Sequence, residues 1–180
     1  MASKSPRRQE LLSAMGLQFD VLLKDVDESY PEGLSPAAVA SYISEKKAKA
    51  FTAERLTSLV ITADTIVAYQ GEILGKPEDD AHAKAMLTKL SGTTHQVFTG
   101  VSLAYQDKLE TFYDETEVCF RKLTEQEIDH YILNYSPLDK AGSYGIQDWL
   151  GFIAVEKITG SYTNVMGLPT EKLYTVLSGF

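Results

Sequence analysis

Two long strand-like segments constrain the fold of this chain more than any other feature. Residues 97–105 and 109–120 are predicted to form a β-hairpin, and residues 106–108 supply the turn between them. In the second segment Thr116, Val118 and Phe120 keep the two-residue period of a strand. The hairpin therefore predicts a β-sheet in the domain.

The segments around the hairpin alternate between helical and strand-like patterns. Helices are predicted after Ser5, after Ser35, from Asp79 or Asp80 to Gly92, after a capping box at Thr124, and from Pro169. Strands are predicted at residues 18–23, 59–63, 65–69, 72–74 and 152–158. In a chain of 180 residues this order predicts a single α/β domain, with a mixed, twisted sheet flanked by helices.

Composition excludes several classes of partner. A net charge of −8 argues against nucleic-acid binding, which needs a broad basic surface. No apolar run approaches the length of a membrane span, and no signal-peptide pattern precedes the first helix, so no membrane association is expected. The only cysteine, Cys119, cannot form an internal disulfide. We therefore expect a cytoplasmic protein, because single cysteines of this kind fit a reducing compartment.

The stretch Ser5-Pro6-Arg7-Arg8 predicts a helix that begins at an anion-binding site. Ser5 is a suitable N-cap, and Pro6 suits the first helical position. Arg7 and Arg8 then add positive charge to a helix end that is already positive, which lowers helix stability unless an anion docks there. The alternative is a pair of solvated arginines.

Two carboxylates are candidates for chemistry. Asp64 interrupts an apolar segment, where a carboxylate is costly to desolvate unless it is paired or metal-bound. It either caps a turn at the end of the strand or acts on water, alone or with a metal ion. Glu28 lies in an acidic loop that is either solvated or a ligand for Mg²⁺ or Mn²⁺.

Several further polar residues have two interpretations each. Lys76, between Gly75 and Pro77, lies in a surface turn or contacts an anion. Lys46 and Lys47 both lie at margins of the apolar face of the second helix, and periodicity does not choose between them. Gln147 either reads a base edge through its amide or satisfies the backbone of its own loop.

A set of segments in fixed order carries a family resemblance. They are ASKSPRRQELL at 2–12, KAKA at 47–50, ADT at 63–65, GKP at 75–77, KLSG at 89–92, DKAGSYGIQ at 139–147 and VMGLP at 165–169. Together they resemble the Maf family of nucleoside triphosphate pyrophosphatases. The resemblance implies one Maf-like domain over residues 1–180, with a fold like that of inosine triphosphate pyrophosphatases and two lobes around a cleft.

The resemblance also implies an activity. Family members hydrolyse nucleoside triphosphates between the α and β phosphates, giving a monophosphate and pyrophosphate with a divalent cation, Mg²⁺ or Mn²⁺. Their role is described as house-cleaning, the removal of non-canonical nucleotides, and the family implies a homodimer. Members usually carry a few apolar residues that complete a central strand before Ala2, and here only Met1 does so, so we expect a short strand.

Site residues follow from the resemblance position by position. The position of the proton acceptor is Asp64, and the acidic positions that hold metal are Glu28 and Asp64. The phosphate-contacting positions are Arg8, Lys47 and Lys76. The positions linked to base choice in the subgroup acting on dTTP and UTP are Arg7, Thr65 and Gln147. The subgroup that prefers 7-methyl-GTP has Trp, Gln and Glu there, so this chain resembles the pyrimidine type.

Two other functions remain open at this point. One is a non-catalytic nucleotide-binding regulator of cell division, and the other is a pyrophosphatase for purines such as ITP. An aspartate such as Asp64, retained with Lys47 and Lys76, favours catalysis, because a protein that only binds nucleotide needs no group to activate water.

Overall fold

A computed structural model describes the whole chain, Met1–Phe180. Its sheet has five strands in the order β2-β1-β3-β4-β5. The strands are β1 Val60–Tyr69, β2 Glu72–Leu74, β3 Thr94–Tyr105, β4 Lys108–Phe120 and β5 Val155–Thr159. The helices are α1 Pro6–Ala14, α2 Pro36–Lys49, α3 Asp80–Leu90, α4 Glu125–Tyr135, α5 Trp149–Ala154, α6 Tyr162–Met166 and α7 Thr170–Leu177. None of these helices combines the length and apolar character that a bilayer crossing requires.

The predicted α/β class is confirmed, with one correction to the sheet. All four strand pairings are antiparallel, whereas we predicted a mixture of directions. That prediction came from the alternation of helices and strands before the hairpin, which is typical of parallel crossover units. The strand predicted at residues 18–23 would have supplied such a unit, and the structure has no strand there.

The absent strand has a physical explanation. Val21, Leu22 and Leu23 are each more than two-fifths exposed. Burial of an apolar face, which normally stabilises a strand, is therefore missing here. The segment is tied down at a few points instead, since the Leu22 N–H donates to the Met1 carbonyl. Met1 and Ala2 lie beside β1 without forming a regular strand, and the Ala2 N–H donates to the Ile61 carbonyl at 2.9 Å. The expected short strand is thus reduced to these contacts.

The predicted strand at residues 152–158 was half wrong. Its first part belongs to helix α5, where Leu150 and Ala154 are buried and Phe152 is 79% exposed. That is the four-residue spacing of a helix face, which a short apolar run does not distinguish from a strand. Only the second part pairs, as β5 on the free edge of β4.

Turns and caps lie close to where local chemistry predicted them. Gln70 and Gly71 both have positive φ, as a two-residue turn between β1 and β2 requires. Asp79 caps α3 by accepting from the His82 N–H at 2.7 Å. Thr124 and Glu127 form the predicted capping box of α4.

The two faces of the sheet carry different layers. The α2 face consists of the even-numbered side chains of β1 from Val60 to Ala68, together with Phe98, Gly100 and Ser102 of β3. Apolar members of this face pack against Val39, Ala40 and Ile43 of α2. The α6 face consists of the odd-numbered side chains of β1 and β3, which meet α1, α3, α6, α7 and the loop at 140–147.

Gly100 allows α2 to lie directly on the sheet. It stands opposite Asp64 in the β1–β3 pairing. A Cβ atom at Gly100 would lie 2.3 Å from the Ala40 carbonyl oxygen, far inside van der Waals contact. This close approach fixes the height of α2 above β1, and therefore the distance from Lys47 to Asp64.

Candidate active site

One large cavity opens at an edge of β1 that no strand covers. Ala2 contacts β1 at Ile61 and β2 pairs with it only from Val67 onward, which leaves the intervening edge open. The cavity has a volume of about 620 Å³. All eight side chains predicted for the site line it: Arg7, Arg8, Glu28, Lys47, Asp64, Thr65, Lys76 and Gln147.

The centre of the cavity is a pair of neighbouring residues, Asp64 and Thr65. Because side chains alternate along a strand, Asp64 points to the α2 face and Thr65 to the α6 face. The uncovered edge lets both reach the same cavity. The site therefore joins two environments across the thickness of the sheet.

The α2 side of the cavity is an ionic cluster centred on Lys47. Its ammonium lies 2.7 Å from Asp64 Oδ1 and 2.8 Å from Glu28 Oε1, and all three side chains are at least partly shielded from water. Burial opposes ionisation of Glu28, but the hydrogen bond and charge of Lys47, with the charge of Lys76, outweigh it and lower the pKa of Glu28. Both carboxylates therefore meet at one cation.

The structure separates the two lysines that periodicity left undecided. Lys47 faces the cavity, whereas Lys46 faces the surface loop and pairs with Asp27 at 3.0 Å. Lys46 also donates to the Ser29 carbonyl at 3.0 Å, so it anchors the loop that carries Glu28. A one-residue step along α2 thus separates a cavity residue from a loop anchor.

The α6 side of the cavity is organised by Arg8. Its Nε donates to the Gly167 carbonyl at 2.7 Å, Nη1 to the Ala63 carbonyl at 2.9 Å, and Nη2 to Thr65 Oγ1 at 2.9 Å. Nη1 also contacts Ser3 Oγ at 3.4 Å. Desolvation lowers the pKa of Arg8, and the charges of Asp64 and Glu28 oppose that shift. Of five guanidinium N–H groups, one on Nη2 remains without a protein acceptor.

Arg7 and Gln147 line the same cavity from different elements. Arg7 Nη1 lies 3.9 Å from an Asp139 carboxylate oxygen, at the start of the segment that leads to Gln147. Gln147 Oε1 is buried and has no hydrogen-bond partner. Buried acceptors are normally paired, so this oxygen is available to a donor that enters the cavity.

The loop that carries Gln147 is held by buried hydrogen bonds. Tyr131 Oη accepts from the Gly145 N–H at 3.0 Å and donates to Asp148 Oδ2 at 2.9 Å. Lys140, 8% exposed, donates to the carbonyls of Tyr135 and Ser136 at the end of α4. These contacts place Gln147 against the cavity without using its side-chain oxygen.

Two buried residues behind the site, Thr99 and Asn164, were not predicted from the sequence. Thr99 Oγ1 donates to the Asn164 carbonyl at 2.9 Å and lies 3.0 Å from Thr65 Oγ1. A signal was present, because Thr99 lies between Val97 and Val101 on the buried side of β3. A hydroxyl among apolar side chains of one strand face marks a specific hydrogen bond.

The residues present fit a divalent cation that shares its ligands with a phosphate. Glu28 and Asp64 offer oxygen donors that already converge on one ammonium. No group of three or more His, Cys, Asp or Glu side chains is arranged to hold a metal ion by itself. Mg²⁺ bound through one or two carboxylates and substrate phosphates is the common arrangement in nucleotide enzymes.

Comparison with known proteins identifies the family. The model of the family described as "Maf-like protein" matches residues 1–180. This chain belongs to the Maf family.

Curated relatives match over nearly their whole lengths. The dTTP/UTP pyrophosphatase of Phocaeicola vulgatus is 50% identical over 179 residues, covering 98% of this chain and 93% of the relative. The dTTP/UTP pyrophosphatase of Bacteroides thetaiotaomicron is 49% identical, covering 97% and 91%. That of Flavobacterium psychrophilum is 48% identical, covering 98% and 91%.

Proposed function

We propose that this Maf protein hydrolyses dTTP and UTP to the nucleoside monophosphate and pyrophosphate. One observation carries the proposal: Asp64 and Lys47 lie 2.7 Å apart in a cavity that Arg8 and Lys76 also line. The names of the relatives, all dTTP/UTP pyrophosphatases, support the substrate class.

The ionic cluster is the proposed reaction centre. Asp64 accepts a proton from the attacking water, which adds to the α-phosphorus while the bond from that phosphorus to the β-phosphate oxygen breaks. Pyrophosphate leaves with the bonding electron pair. Lys47 holds Asp64 in place, and Lys47 and Lys76 stabilise the negative charge that develops on the leaving group.

The proposed cofactor is Mg²⁺ or Mn²⁺, held by Glu28, Asp64 and the substrate phosphates. When bound, such a cation neutralises phosphate charge and lowers the pKa of a coordinated water. Glu28 and Asp64 would hold the cation, and Lys47, which contacts both carboxylates, would share the phosphate charge with it.

The α6 side of the cavity is the proposed base site. Thr65 points to this face of the sheet, Arg7 and Gln147 line the same cavity, and Arg8 Nη2 keeps one N–H for a bound anion. An acidic protein with a local basic cavity suits a small polyanion rather than nucleic acid. We also propose a cytoplasmic, house-cleaning role and retain the homodimer as a prediction.

A substrate panel tests the function directly. We expect Mn²⁺- or Mg²⁺-dependent release of pyrophosphate and monophosphate, fastest with dTTP and UTP among dTTP, UTP, CTP, GTP and ITP. A preference for ITP would favour a purine enzyme. Nucleotide binding without any release above that of Asp64→Asn would favour the non-catalytic regulator.

A further inference from the structure

The hydroxyl groups behind the base site form a chain of hydrogen bonds, and the donor and the acceptor of each bond can be assigned. Thr99 Oγ1 lies 2.9 Å from the carbonyl oxygen of Asn164, and a carbonyl can only accept. The single hydroxyl proton of Thr99 is therefore used in that bond. In the 3.0 Å contact between Thr65 and Thr99, the donor must consequently be Thr65.

The remaining bonds complete the assignment of Thr65. Its oxygen accepts from Arg8 Nη2 at 2.9 Å, which occupies one of its two lone pairs. Its proton is committed to Thr99. Thr65 therefore offers the cavity one lone pair and no proton, so toward a bound molecule it is an acceptor only.

The acceptor of Thr99 is itself held in place. The Asn164 carbonyl also accepts from the Gly167 N–H at 2.9 Å, and the Asn164 side-chain amide donates to the Val97 carbonyl at 3.1 Å and to Thr116 Oγ1 at 2.9 Å. Asn164 and Thr99 are both fully buried. The chain is thus anchored in the core, where reversing it would remove one of the two donors to the buried Asn164 carbonyl.

A second acceptor faces the same side of the cavity. Gln147 Oε1 is buried without a partner, and its loop packs on the α6 face through Gly142, which approaches Val67 closely. Val67 follows Thr65 on that face of β1. Gln147 Oε1 and Thr65 Oγ1 are thus two acceptors on residues of one cavity, and either one can accept the single N–H of a pyrimidine imide edge.

We infer that Thr99, although it does not line the cavity, is a specificity-determining positioning residue. By accepting the proton of Thr65, it makes Thr65 an acceptor for the imide N3–H of uracil and thymine. Cytosine presents an unprotonated N3 at the same place, so two lone pairs would face each other. This inference rests on the proposed function, because it assumes that the cavity holds a pyrimidine nucleotide.

The test compares variants of Thr99 in their discrimination between UTP and CTP. In Thr99→Val the hydroxyl of Thr65 loses its acceptor and can turn its proton toward the base. We expect the ratio of kcat/KM for UTP to that for CTP to fall about tenfold, the effect of one neutral hydrogen bond. Thr99→Ser keeps a hydroxyl at the same place and should stay within about twofold of the wild-type ratio.

Thr62→Val is the matched control for lost stability. Thr62 is a fully buried threonine of β1 whose hydroxyl donates to the Ser44 carbonyl at 2.6 Å, on the α2 face and away from the cavity lining. The Thr62→Val substitution should lower the melting temperature and leave the ratio of kcat/KM for UTP to that for CTP unchanged. Because the ratio is measured within one sample, partial unfolding of Thr99→Val does not affect it, and Thr99→Ala replaces that variant if it does not fold.

Equilibrium binding separates this inference from the proposed function. The ratio of Kd values for the α,β-methylene analogues of UTP and CTP reports base choice without turnover. No turnover by the wild type on any nucleotide would refute the proposed function alone. A wild type that binds both analogues equally, or a Thr99→Val variant that keeps the wild-type ratio, would overturn the inference.

Discussion

The two sides of the cavity use opposite means to hold their side chains. On the α2 face, Lys47 is bound by two carboxylates, and charge does the positioning. On the α6 face, hydrogen bonds do the positioning: Arg8 donates to Thr65, and Thr65 is linked through Thr99 to the buried Asn164 carbonyl. The ionic side can rearrange when a phosphate or a cation enters, because its partners are themselves charged and partly exposed. The hydrogen-bonded side is fixed before any ligand arrives, which suits recognition of a base.

The largest expected effect comes from removing the charge of the ionic side. Asp64→Asn keeps the shape of the side chain and removes the proton acceptor, so we expect kcat to fall about 10³-fold, within the range for loss of a general base. Nucleotide binding should be largely kept. Pyrophosphate release measures kcat, and calorimetry measures nucleotide binding. Glu45→Gln, an equivalent change on the surface of α2, should leave kcat at the wild-type value.

The next effect comes from lifting α2 off the sheet. Gly100→Ala places a methyl group 2.3 Å from the Ala40 carbonyl oxygen, and backbone atoms cannot move aside as a flexible side chain can. We expect a loss of about 3 kcal/mol in the free energy of unfolding, measured with urea. Gly75→Ala meets nothing within 4 Å and should lose little stability. Equal stability of the two variants would show that Gly100 does not set the position of α2.

Acidification should reveal the neutral histidine buried on the α6 face. His95 is fully buried there, its Nε2 2.7 Å from Tyr144 Oη, and burial lowers the pKa of His95 to about 4. The unfolded chain, with a histidine pKa near its usual 6.5, binds the proton first, so folding stability falls as pH drops from about 6.5 to 4. The full shift corresponds to about 3 kcal/mol.

Urea unfolding at several pH values measures this effect. His95→Asn should flatten the slope of unfolding free energy against pH in that window, whatever its stability at pH 8. His130→Asn, at an exposed histidine, should keep the wild-type slope. A wild-type stability that does not change between pH 6.5 and 4 would show that burial does not keep His95 neutral.

The smallest expected effect distinguishes the two neighbouring lysines of α2. Lys46→Met removes a surface pair with Asp27, and we expect kcat/KM within about twofold of the wild type, since exposed pairs contribute little. Lys47→Met removes the cation shared by Glu28 and Asp64 and should lower kcat/KM at least tenfold. Similar losses in the two variants would show that the loop at 27–29 matters as much as the cavity cation.

The sequence predicted the parts of this molecule that depend on local chemistry. The cap at Asp79, the capping box at Thr124 and the turn at Gln70 each involve residues close together in the chain. The strands at residues 18–23 and 152–154 were wrong because short apolar runs do not show whether tertiary packing will bury them.

The candidate site was also predicted only in part. The motifs and the resemblance identified the side chains that line the cavity, including Asp64 and Gln147. They did not reveal that Arg8 is bound by Gly167, Ala63 and Thr65, or that Thr99 takes the proton of Thr65. Such bonds join residues up to 159 positions apart, so only the folded chain shows them.

The most direct measurement is a crystal structure of Asp64→Asn with bound UTP and Mg²⁺. We expect one nucleotide across the uncovered edge of β1, with its phosphates beside Lys47 and Lys76 and uracil N3 within hydrogen-bonding distance of Thr65 Oγ1. A nucleotide in the reverse orientation, or bound outside this cavity, would contradict the division of the site into an ionic side and a base side.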